Sequence, residues 1–238
     1  MKKAIVIGAT SGIGRELSLL LASKNYLVGI TGRRHELLED LKQQHPANFI
    51  EHCYDITKGN NSDELNLLTN LLGGLDLIII SSGTGKINKV LDFEVEKPAL
   101  YTNVLGYTEI IDWAYNYFLT KNTSGHIVGI SSVAGIRGNR FAPAYNASKA
   151  YQMIYLESIR HKIAFDKIPL TITDIRPGFV DTAMGQAEKR FWVSSPAKAA
   201  QDIYKAIVRK KKVAYITKRW VIIAFILKFS PGWLLRRL

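Results

Sequence analysis

The clearest indication of the fold lies near the start of the chain, in Ala4-Ile5-Val6-Ile7-Gly8-Ala9-Thr10-Ser11-Gly12-Ile13-Gly14. Its four aliphatic residues predict a buried strand, and the glycines that follow predict a tight turn that opens a helix. Glycines let a phosphate group approach the backbone, and the N–H groups and dipole of a helix N-terminus attract its charge. The spacing is Gly-x3-Gly-x-Gly, not the Gly-x-Gly-x-x-Gly of many dinucleotide-binding proteins. Its place in the first strand–helix turn still predicts a nucleotide site.

Strand-like and helix-like segments alternate through most of the chain. Short aliphatic runs predict strands over residues 3–8, 26–31, 48–54, 75–81, 126–131 and 170–175, with a weaker one over 213–217. The segments between them predict helices over 13–24, 36–44, 62–72, 98–120, 144–166 and 196–209. Runs such as Ile78-Ile79-Ile80 are continuously apolar, as in strands buried on both faces. We therefore expect an α/β fold, a single Rossmann-type doubly wound parallel β-sheet flanked by helices, with ligands at the carboxyl ends of its strands.

Length and charge bound the domain organisation. A chain of 238 residues fits one large α/β domain, which we place over residues 1–218, followed by a basic and apolar C-terminal tail over 219–238. The net charge is +12, but residues 209–238 hold nine lysines and arginines and no acid, so the remainder carries only about +3. Because the basic residues of this segment are interleaved with aliphatic ones, we do not expect nucleic-acid binding.

The cysteine content and the hydropathy pattern indicate the compartment. Cys53 is the only cysteine, which excludes an internal disulfide and suits a reducing compartment, and we interpret it as a small core residue. The apolar run 4–7 is too short for a secretion signal, and no stretch reaches the roughly 20 apolar residues of a spanning helix. These observations predict a cytoplasmic protein, in contact at most with the surface of a membrane.

The end of the second predicted strand indicates which nucleotide binds. NAD-dependent proteins usually place Asp or Glu there, to hydrogen-bond the ribose 2′-hydroxyl. This chain has Thr31-Gly32-Arg33-Arg34 instead. A guanidinium group at Arg33 fits a 2′-phosphate through charge-assisted hydrogen bonds, so NADP(H) is favoured over NAD(H). The alternative is that Arg33 and Arg34 are simply solvated at the start of a helix.

Tyr145 and Lys149 form a candidate catalytic pair. Four residues apart on a predicted helix, they share one face, where the ammonium group is expected to lower the pKa of the phenol. A phenol tuned in this way can exchange a proton with a carbonyl or hydroxyl oxygen. The same spacing occurs twice elsewhere in the chain, but only Tyr145 has a serine 13 residues earlier, Ser132, at the end of a predicted strand.

With these motifs in this order, the chain resembles the short-chain dehydrogenase/reductase family over residues 3–182, about three quarters of its length. The resemblance rests on the glycine turn, Asp55 in Tyr-Asp-Ile-Thr, Asn103 in Asn-Val-Leu-Gly, Ser132 in Ile-Ser-Ser-Val-Ala-Gly, Tyr145-Asn-Ala-Ser-Lys149 and Arg176-Pro177-Gly178-Phe179-Val180-Asp181-Thr182.

The resemblance implies a role for four catalytic residues. Tyr145 would donate or accept the proton, and Ser132 would hydrogen-bond the substrate oxygen. Lys149 would bind the nicotinamide ribose and depress the pKa of Tyr145. Asn103 would hold a water relay.

The resemblance also implies a cofactor-binding set. In that set, Asp55 and Ile56 would contact the adenine, while Val180 and Thr182 would position the nicotinamide carboxamide. The full set comprises Gly8, Thr10, Ser11, Gly12, Ile13, Gly14, Arg33, Arg34, Asp55, Ile56, Ser82, Gly83, Tyr145, Lys149, Pro177, Gly178, Val180 and Thr182.

Two places depart from the family pattern. The family's Asn-Asn-Ala-Gly after the fourth strand is Ile80-Ser81-Ser82-Gly83 here, and its usual Thr before the first glycine is Ile7. Both places mainly support the sheet and the turn, so the departures affect the expected local geometry more than the activity. The five histidines lack ligand spacing, so we expect no metal site.

These features together predict an NADP(H)-dependent oxidoreductase that transfers a hydride between the nicotinamide and a carbonyl or secondary alcohol. Met184, Phe191 and Trp192, which follow the last motif, suggest an apolar substrate. Two alternatives stay open on the same fold: a catalytically silent nucleotide-binding regulator and a membrane-surface interaction protein. The apolar excess of the helices predicted over 98–120 and 144–166 predicts a homodimer or homotetramer.

The tail admits several interpretations. Its run from Trp220 to Leu227 is apolar on all sides and has basic borders, as segments that lie in a bilayer interface do. Peripheral contact with a membrane is therefore one interpretation. Packing on its own domain, packing on a sister subunit and covering the substrate site are the others.

Overall fold

The aliphatic runs form seven parallel strands in the part of the chain that the computed structural model describes, residues 1–182 and 191–231. They are β1 (Lys2–Ile7), β2 (Tyr26–Gly32), β3 (Phe49–Cys53), β4 (Leu77–Ile80), β5 (Gly125–Ile130), β6 (Leu170–Pro177) and β7 (Val213–Ile216). They form one sheet in the order β3-β2-β1-β4-β5-β6-β7. The strand order reverses at β1, so the predicted doubly wound parallel sheet is confirmed.

Eight α-helices are found among the described residues: α1 (Gly12–Ser23), α2 (His35–Gln44), α3 (Asn61–Leu72), α4 (Phe93–Leu100), α5 (Tyr107–Lys121), α6 (Pro143–Asp166), α7 (Pro196–Val208) and α8 (Trp220–Phe229). A π-helical segment, Tyr101–Gly106, joins α4 to α5, and a 3-10 turn, Val133–Ile136, follows β5. The helix predicted over 98–120 thus begins earlier, at Phe93. Its start is set by Asp92, whose carboxylate accepts a hydrogen bond from the Glu94 N–H at 3.0 Å.

Two hydrophobic cores lie on the two faces of the sheet. Along β1, Ala4 and Val6 join the core beneath α1, α2 and α7, whereas Ile5 and Ile7 join the core beneath α3, α5 and α6. Each fully buried aliphatic side chain contributes about 2 kcal/mol. Because β1 and β4 contribute to both cores, both sets of their alternate positions are apolar, which explains continuously apolar runs such as Ile78-Ile79-Ile80.

The prediction that Cys53 is a small core residue was wrong, because its side chain is exposed. It is the last residue of β3, which lies at the edge of the sheet and pairs with β2. A residue at the end of an edge strand has fewer neighbours to cover it.

The carboxyl ends of the parallel strands meet at one edge of the sheet, which collects the motifs. The glycine turn follows β1, Ser81 and Ser82 follow β4, Ser131 and Ser132 follow β5, and Gly178 follows β6. Among the described residues, no helix combines the length and the apolar character that crossing a bilayer requires.

Candidate active site

The glycine turn is a concave backbone surface with no room for side chains. Gly8 has a positive φ of 85°, and a Cβ atom there would lie 2.7 Å from the Ser82 nitrogen. A Cβ atom on Gly14 would collide with the Gly8 carbonyl oxygen. The turn, the start of α1 and the end of β4 are therefore packed backbone to backbone.

Two hydroxyl-bearing residues border this turn from neighbouring loops. The Ser82 hydroxyl oxygen is buried and has no hydrogen-bond partner within the described residues. On the other side, a Cβ atom on Gly12 would lie 3.0 Å from the Thr182 methyl carbon. A cradle of backbone atoms at a helix N-terminus, with an unpartnered buried hydroxyl beside it, fits the phosphates of a dinucleotide. The residues of this turn therefore suit a cofactor that carries a pyrophosphate.

The two arginines at the end of β2 have different partners. The Arg34 guanidinium group donates to the Thr10 hydroxyl at 2.6 Å and to the Ser11 hydroxyl at 2.9 Å. The Arg33 side chain is 66% exposed and lies 3.8 Å from the Asp55 carboxylate. Arg34 is thus tied to the glycine turn, whereas Arg33 extends into solvent beside it.

Asp55 and the buried Ile56 follow β3 on the same edge. Burial acts to raise the pKa of the Asp55 carboxyl, but hydrogen bonds from the Thr57 N–H and hydroxyl and the charges of Arg33 and Lys58 lower it overall. Asp55 is therefore ionised at neutral pH. Its neighbour Ile56 lies against the π-helical segment, where its carbonyl oxygen leaves no room for a Cβ atom on Gly106.

Ser132 and Tyr145 come together above the end of β5. The Ser132 hydroxyl accepts a hydrogen bond from the Ala134 N–H at 3.1 Å, which fixes its position at the start of the 3-10 turn. Tyr145 lies in the first turn of α6, with its ring packed against Gly85 so closely that a Cβ atom there would collide with it. The two hydroxyl groups face the same part of the site.

The pKa of Tyr145 differs from the sequence expectation. Burial raises the pKa of the phenol above its usual value, and a hydrogen bond with Ser132 offsets this rise only in part. The Lys149 ammonium lies 5.9 Å from the centre of the Tyr145 ring, but it donates its hydrogen bonds to other groups. The net direction of the Tyr145 pKa is therefore opposite to the expected one, because desolvation of the phenol dominates.

Lys149 is almost fully buried, at 4% exposure. Its Nζ atom donates to the Ile130 carbonyl oxygen and to Oε1 of Gln152, both at 2.9 Å. Burial lowers the pKa of Lys149 to about 8, while the charge of Asp174 acts in the opposite direction. The ammonium group is thus held in place and lies close to its titration range at neutral pH.

Asn103 joins the π-helical segment to two other parts of the site. Its Oδ1 accepts from the Thr84 N–H at 2.9 Å, and its Nδ2 donates to the Thr84 carbonyl oxygen at 2.7 Å and to the Ser148 hydroxyl at 2.9 Å. Gly83 lies between Asn103 and Lys149, since a Cβ atom there would be 3.5 Å from Oδ1 and 3.4 Å from Nζ. The four expected catalytic side chains therefore border one region.

Gln152 was not identified from the sequence. Its Nε2 donates to the Asn103 carbonyl oxygen at 2.9 Å, and its Oε1 accepts from Lys149. A polar residue three positions after Lys149 and seven after Tyr145 lies on the same face of a helix. This spacing is the sequence signal from which Gln152 could have been identified.

The motif after β6 lies on the same edge of the sheet. The Pro177 carbonyl oxygen is 3.5 Å from the Ser132 hydroxyl, and the Gly178 N–H donates to the Ile216 carbonyl oxygen at 2.6 Å. Val180 is buried and bridges to Ser194. The segment of residues 177–182 therefore lies between the glycine turn and Ser132.

The aromatic residues expected at the substrate site pack on the C-terminal tail. Phe191 stacks on Trp220 with ring centres 5.0 Å apart, and Trp192 meets the same ring edge-on at 6.3 Å. The Trp220 ring also lies against Gly178, where it leaves no room for a Cβ atom. Met184, the third of these residues, lies outside the described residues.

Helix α8 is fixed to the domain at both ends. Trp220 at its start is 4% exposed, and the Arg137 guanidinium group donates to the carbonyl oxygens of Leu227 and Lys228, both at 2.8 Å, and of Ser230 at 3.2 Å. The inner face of α8 thus packs on its own domain. Its outer face is exposed and apolar, formed by Val221, Ile222, Phe225, Ile226 and Phe229.

The chain is similar to known oxidoreductases over most of its length. The family model of the short chain dehydrogenases matches residues 2–191. An uncharacterised oxidoreductase of Staphylococcus epidermidis is 30% identical over 188 residues, which cover 77% of this chain and 80% of the relative. An uncharacterised oxidoreductase of Myxococcus xanthus is 34% identical over 189 residues, which cover 77% of this chain and 74% of the relative.

Solved structures share the fold at low sequence identity. A short-chain dehydrogenase/reductase of Burkholderia phymatum in complex with NAD superposes with a TM-score of 0.85 at 18% identity, over 94% of this chain and 92% of the other. A short-chain dehydrogenase of Sphingobium yanoikuyae in complex with NADPH has a TM-score of 0.81 at 16% identity, with the same coverage. The matched family model and the 30% identical relative establish that the chain belongs to the short-chain dehydrogenase/reductase family of oxidoreductases.

Proposed function

We propose that this protein is an NADP(H)-dependent oxidoreductase that interconverts a carbonyl group and a secondary alcohol on a small apolar substrate. The observation that carries the proposal is the convergence of Ser132, Tyr145, Lys149 and Asn103 beside the glycine turn. The nicotinamide cofactor, when bound, supplies or accepts the hydride.

Tyr145 is the proton donor of the reductive direction in this proposal. Because burial raises the pKa of the phenol, Tyr145 holds its proton at neutral pH and can give it to the substrate oxygen. The Ser132 hydroxyl, fixed by the Ala134 N–H, can donate to the same oxygen. The buried Lys149 cation stabilises the phenolate that remains after transfer.

The cofactor would lie along the carboxyl edge of the sheet. The glycine turn, with Thr10, Ser11 and Ile13, would hold the pyrophosphate, and Asp55 with Ile56 would hold the adenine. The absence of an acid after β2 and the presence of Arg33 and Arg34 favour a 2′-phosphate, and hence NADP(H). Ser82, Gly83 and the segment from Pro177 to Thr182 would complete the nicotinamide end.

The experiment that tests this function is a measurement of NADPH oxidation with a panel of apolar aldehydes and ketones. Mass analysis of small molecules that copurify with the protein would narrow the panel. We expect turnover with NADPH at a lower cofactor concentration than with NADH. Tight NADPH binding without turnover of any carbonyl would instead favour the nucleotide-binding regulator.

The proposal includes a cytoplasmic catalytic domain over residues 1–218 and assembly into a homodimer or homotetramer. Exposed apolar side chains on the π-helical segment, α5 and α6 support assembly, among them Leu105, Leu119 and Ile154, of which Ile154 is 64% exposed. We expect sedimentation at micromolar concentration to show at least a dimer. A monomer under these conditions would contradict this part of the proposal.

A second function, contact with an anionic membrane surface, is favoured by the outer face of α8. Its five apolar side chains form one continuous stripe opposite the buried Trp220 and Ala224. Residues seven positions apart lie along one line of a helix, so Arg219 borders the stripe beside Ile226 and Lys228 borders it beside Val221. An apolar stripe with cations on both borders fits a bilayer interface that contains anionic lipid, where each cation contributes about 1 kcal/mol.

The charges also argue against a second copy of the chain as the occupant of this face. A two-fold symmetric contact through α8 would bring the same cations of both copies together, since residues 209–231 contain no acid. The tail therefore suits a negatively charged surface better than its own duplicate.

Vesicle flotation tests the membrane contact. We expect the wild-type protein to float with vesicles of phosphatidylserine and phosphatidylcholine, and the double variant Ile222→Asp/Phe225→Asp to stay unbound. The matched control is Leu67→Asp/Leu71→Asp on α3, where both side chains are also half-exposed. Equal recovery of wild type and α8 variant in the unbound fraction would refute the contact. A change in sedimentation of the α8 variant alone would identify a second copy as the occupant.

A further inference from the structure

Gln152 is fully buried on α6 and hydrogen-bonded at both ends of its amide group. Oε1 accepts from the Lys149 ammonium and Nε2 donates to the Asn103 carbonyl oxygen, each at 2.9 Å. An ammonium group can only donate and a carbonyl oxygen can only accept. These two partners therefore determine which end of the amide faces which neighbour.

We propose that Gln152 is a positioning residue of the active site, which fixes the Lys149 ammonium by linking it to the backbone of the π-helical segment. The kinetic effect expected of this role rests on the oxidoreductase function proposed above. The position of the Lys149 ammonium does not depend on that function.

The placement of Gln152 follows from the geometry of α6. Tyr145, Lys149 and Gln152 follow one another along a single helix face, at intervals of four and three residues. The π-helical segment passes across this face, held there by the bonds of Asn103 to Thr84 and Ser148. Gln152 thus joins the helix that carries the proton donor to the segment that carries Asn103.

A lysine needs such support because its four-carbon side chain is flexible and its buried charge requires acceptors. The described structure gives Nζ two acceptors, the Ile130 carbonyl oxygen and Gln152. The titratable groups that face it are Tyr145 on the same helix and Asp174 on β6. Unlike a carboxylate, the neutral amide of Gln152 holds the ammonium without neutralising its charge, which stays available to the phenol.

Two substitutions of Gln152 should have opposite effects on the stability of the charged form of Lys149. Gln152→Met keeps the volume but removes the strong acceptor, so the charged form of Lys149 loses a hydrogen bond. Gln152→Glu places a carboxylate beside the ammonium and stabilises its charged form. The matched control is Leu156→Met, a volume-conserving change one turn further along α6 at another fully buried position.

The first measurement is the NMR titration of the Lys149 side chain in the protein without substrate. The wild-type midpoint should lie near a pH of about 8. We expect Gln152→Met to lower it by about one pH unit, Gln152→Glu to raise it by about one unit or more, and Leu156→Met to leave it unchanged. An unmoved midpoint in both Gln152 variants, with folding verified by thermal denaturation, would overturn the proposal.

The second measurement is the pH profile of kcat with NADPH and a turned-over carbonyl compound. Gln152→Met should lower kcat about tenfold near neutral pH and move the Lys149-dependent limb in the direction of the NMR midpoint, with KM for the carbonyl nearly unchanged. An equal loss of kcat in Leu156→Met would show that Gln152 serves packing only. A shifted NMR midpoint in a protein that turns over no carbonyl would support the positioning role of Gln152 and contradict the proposed carbonyl–alcohol interconversion.

Discussion

The glycine turn and the catalytic face of α6 lie on the same edge of the sheet but are built in opposite ways. The turn derives its shape from the lack of side chains, since a single methyl group on Gly8 or Gly14 would meet backbone atoms. The catalytic face derives its shape from hydrogen bonds among Lys149, Gln152 and Asn103. Substitutions in the turn should therefore affect folding as well as binding, whereas substitutions on α6 can remove chemistry from an intact protein.

The largest effect is expected from Tyr145→Phe, which removes one hydroxyl from the catalytic face. We expect kcat to fall by about a thousandfold, because a positioned general acid contributes about that factor. The Kd for NADPH, measured by fluorescence titration, should stay within about twofold of the wild-type value. Tyr155→Phe is the control, since Tyr155 lies on the same helix as Tyr145 but its hydroxyl bonds to Asp112 on α5, away from the site. Near-normal kcat in Tyr145→Phe would contradict the mechanism.

A smaller effect, on stability, is expected from Gly14→Ala in the turn. The added methyl group would collide with the Gly8 carbonyl oxygen, so the free energy of unfolding should fall by about 3 kcal/mol. Urea denaturation measures it. Gly138→Ala is the control, because a Cβ atom there meets no atom within 4 Å. Equal midpoints for the two variants would show that the turn tolerates side chains and that the contrast between the two regions is false.

The smallest effect is expected from Arg33→Asp, a side-chain change beside the glycine turn. The Kd for NADPH should rise about tenfold, the cost of one lost charge-assisted hydrogen bond and an added repulsion, while the Kd for NADH stays the same or falls. Lys24→Asp, the same charge change at the far end of α1, is the control. Unchanged relative affinities in Arg33→Asp, with a loss of NADPH affinity in Arg34→Ala, would assign the phosphate to Arg34.

The glycine turn could be predicted from the sequence because its signals are local. A glycine cluster between an aliphatic run and a helix predicts a turn whatever surrounds it, and the continuously apolar runs predicted the parallel sheet. The spacing of Ser132, Tyr145 and Lys149 along the chain likewise predicts that these three residues lie together.

The side-chain network could not be predicted in the same way, because it depends on burial and on contacts distant in sequence. The pKa direction of Tyr145 depends on how much of its phenol is desolvated, which no spacing reveals. The role of Gln152 depends on Asn103, which is 49 residues away in the chain. Arg33 and Arg34 are adjacent in sequence, and only their contacts tell which of them reaches the glycine turn.

The interior position of β1 in the sheet, with a neighbouring strand on each side, affects how the chain folds during synthesis. β1 pairs with β2, which follows after a short helix, and with β4, which begins only at Leu77. At a synthesis rate of about 5–20 residues per second, the second edge of β1 stays unpaired for about 2–10 s after β2 has emerged from the ribosome. An open, aliphatic strand edge is a template for pairing with other chains. The yield of folded protein should therefore depend on translation speed and on chaperones that cover this edge until β4 arrives.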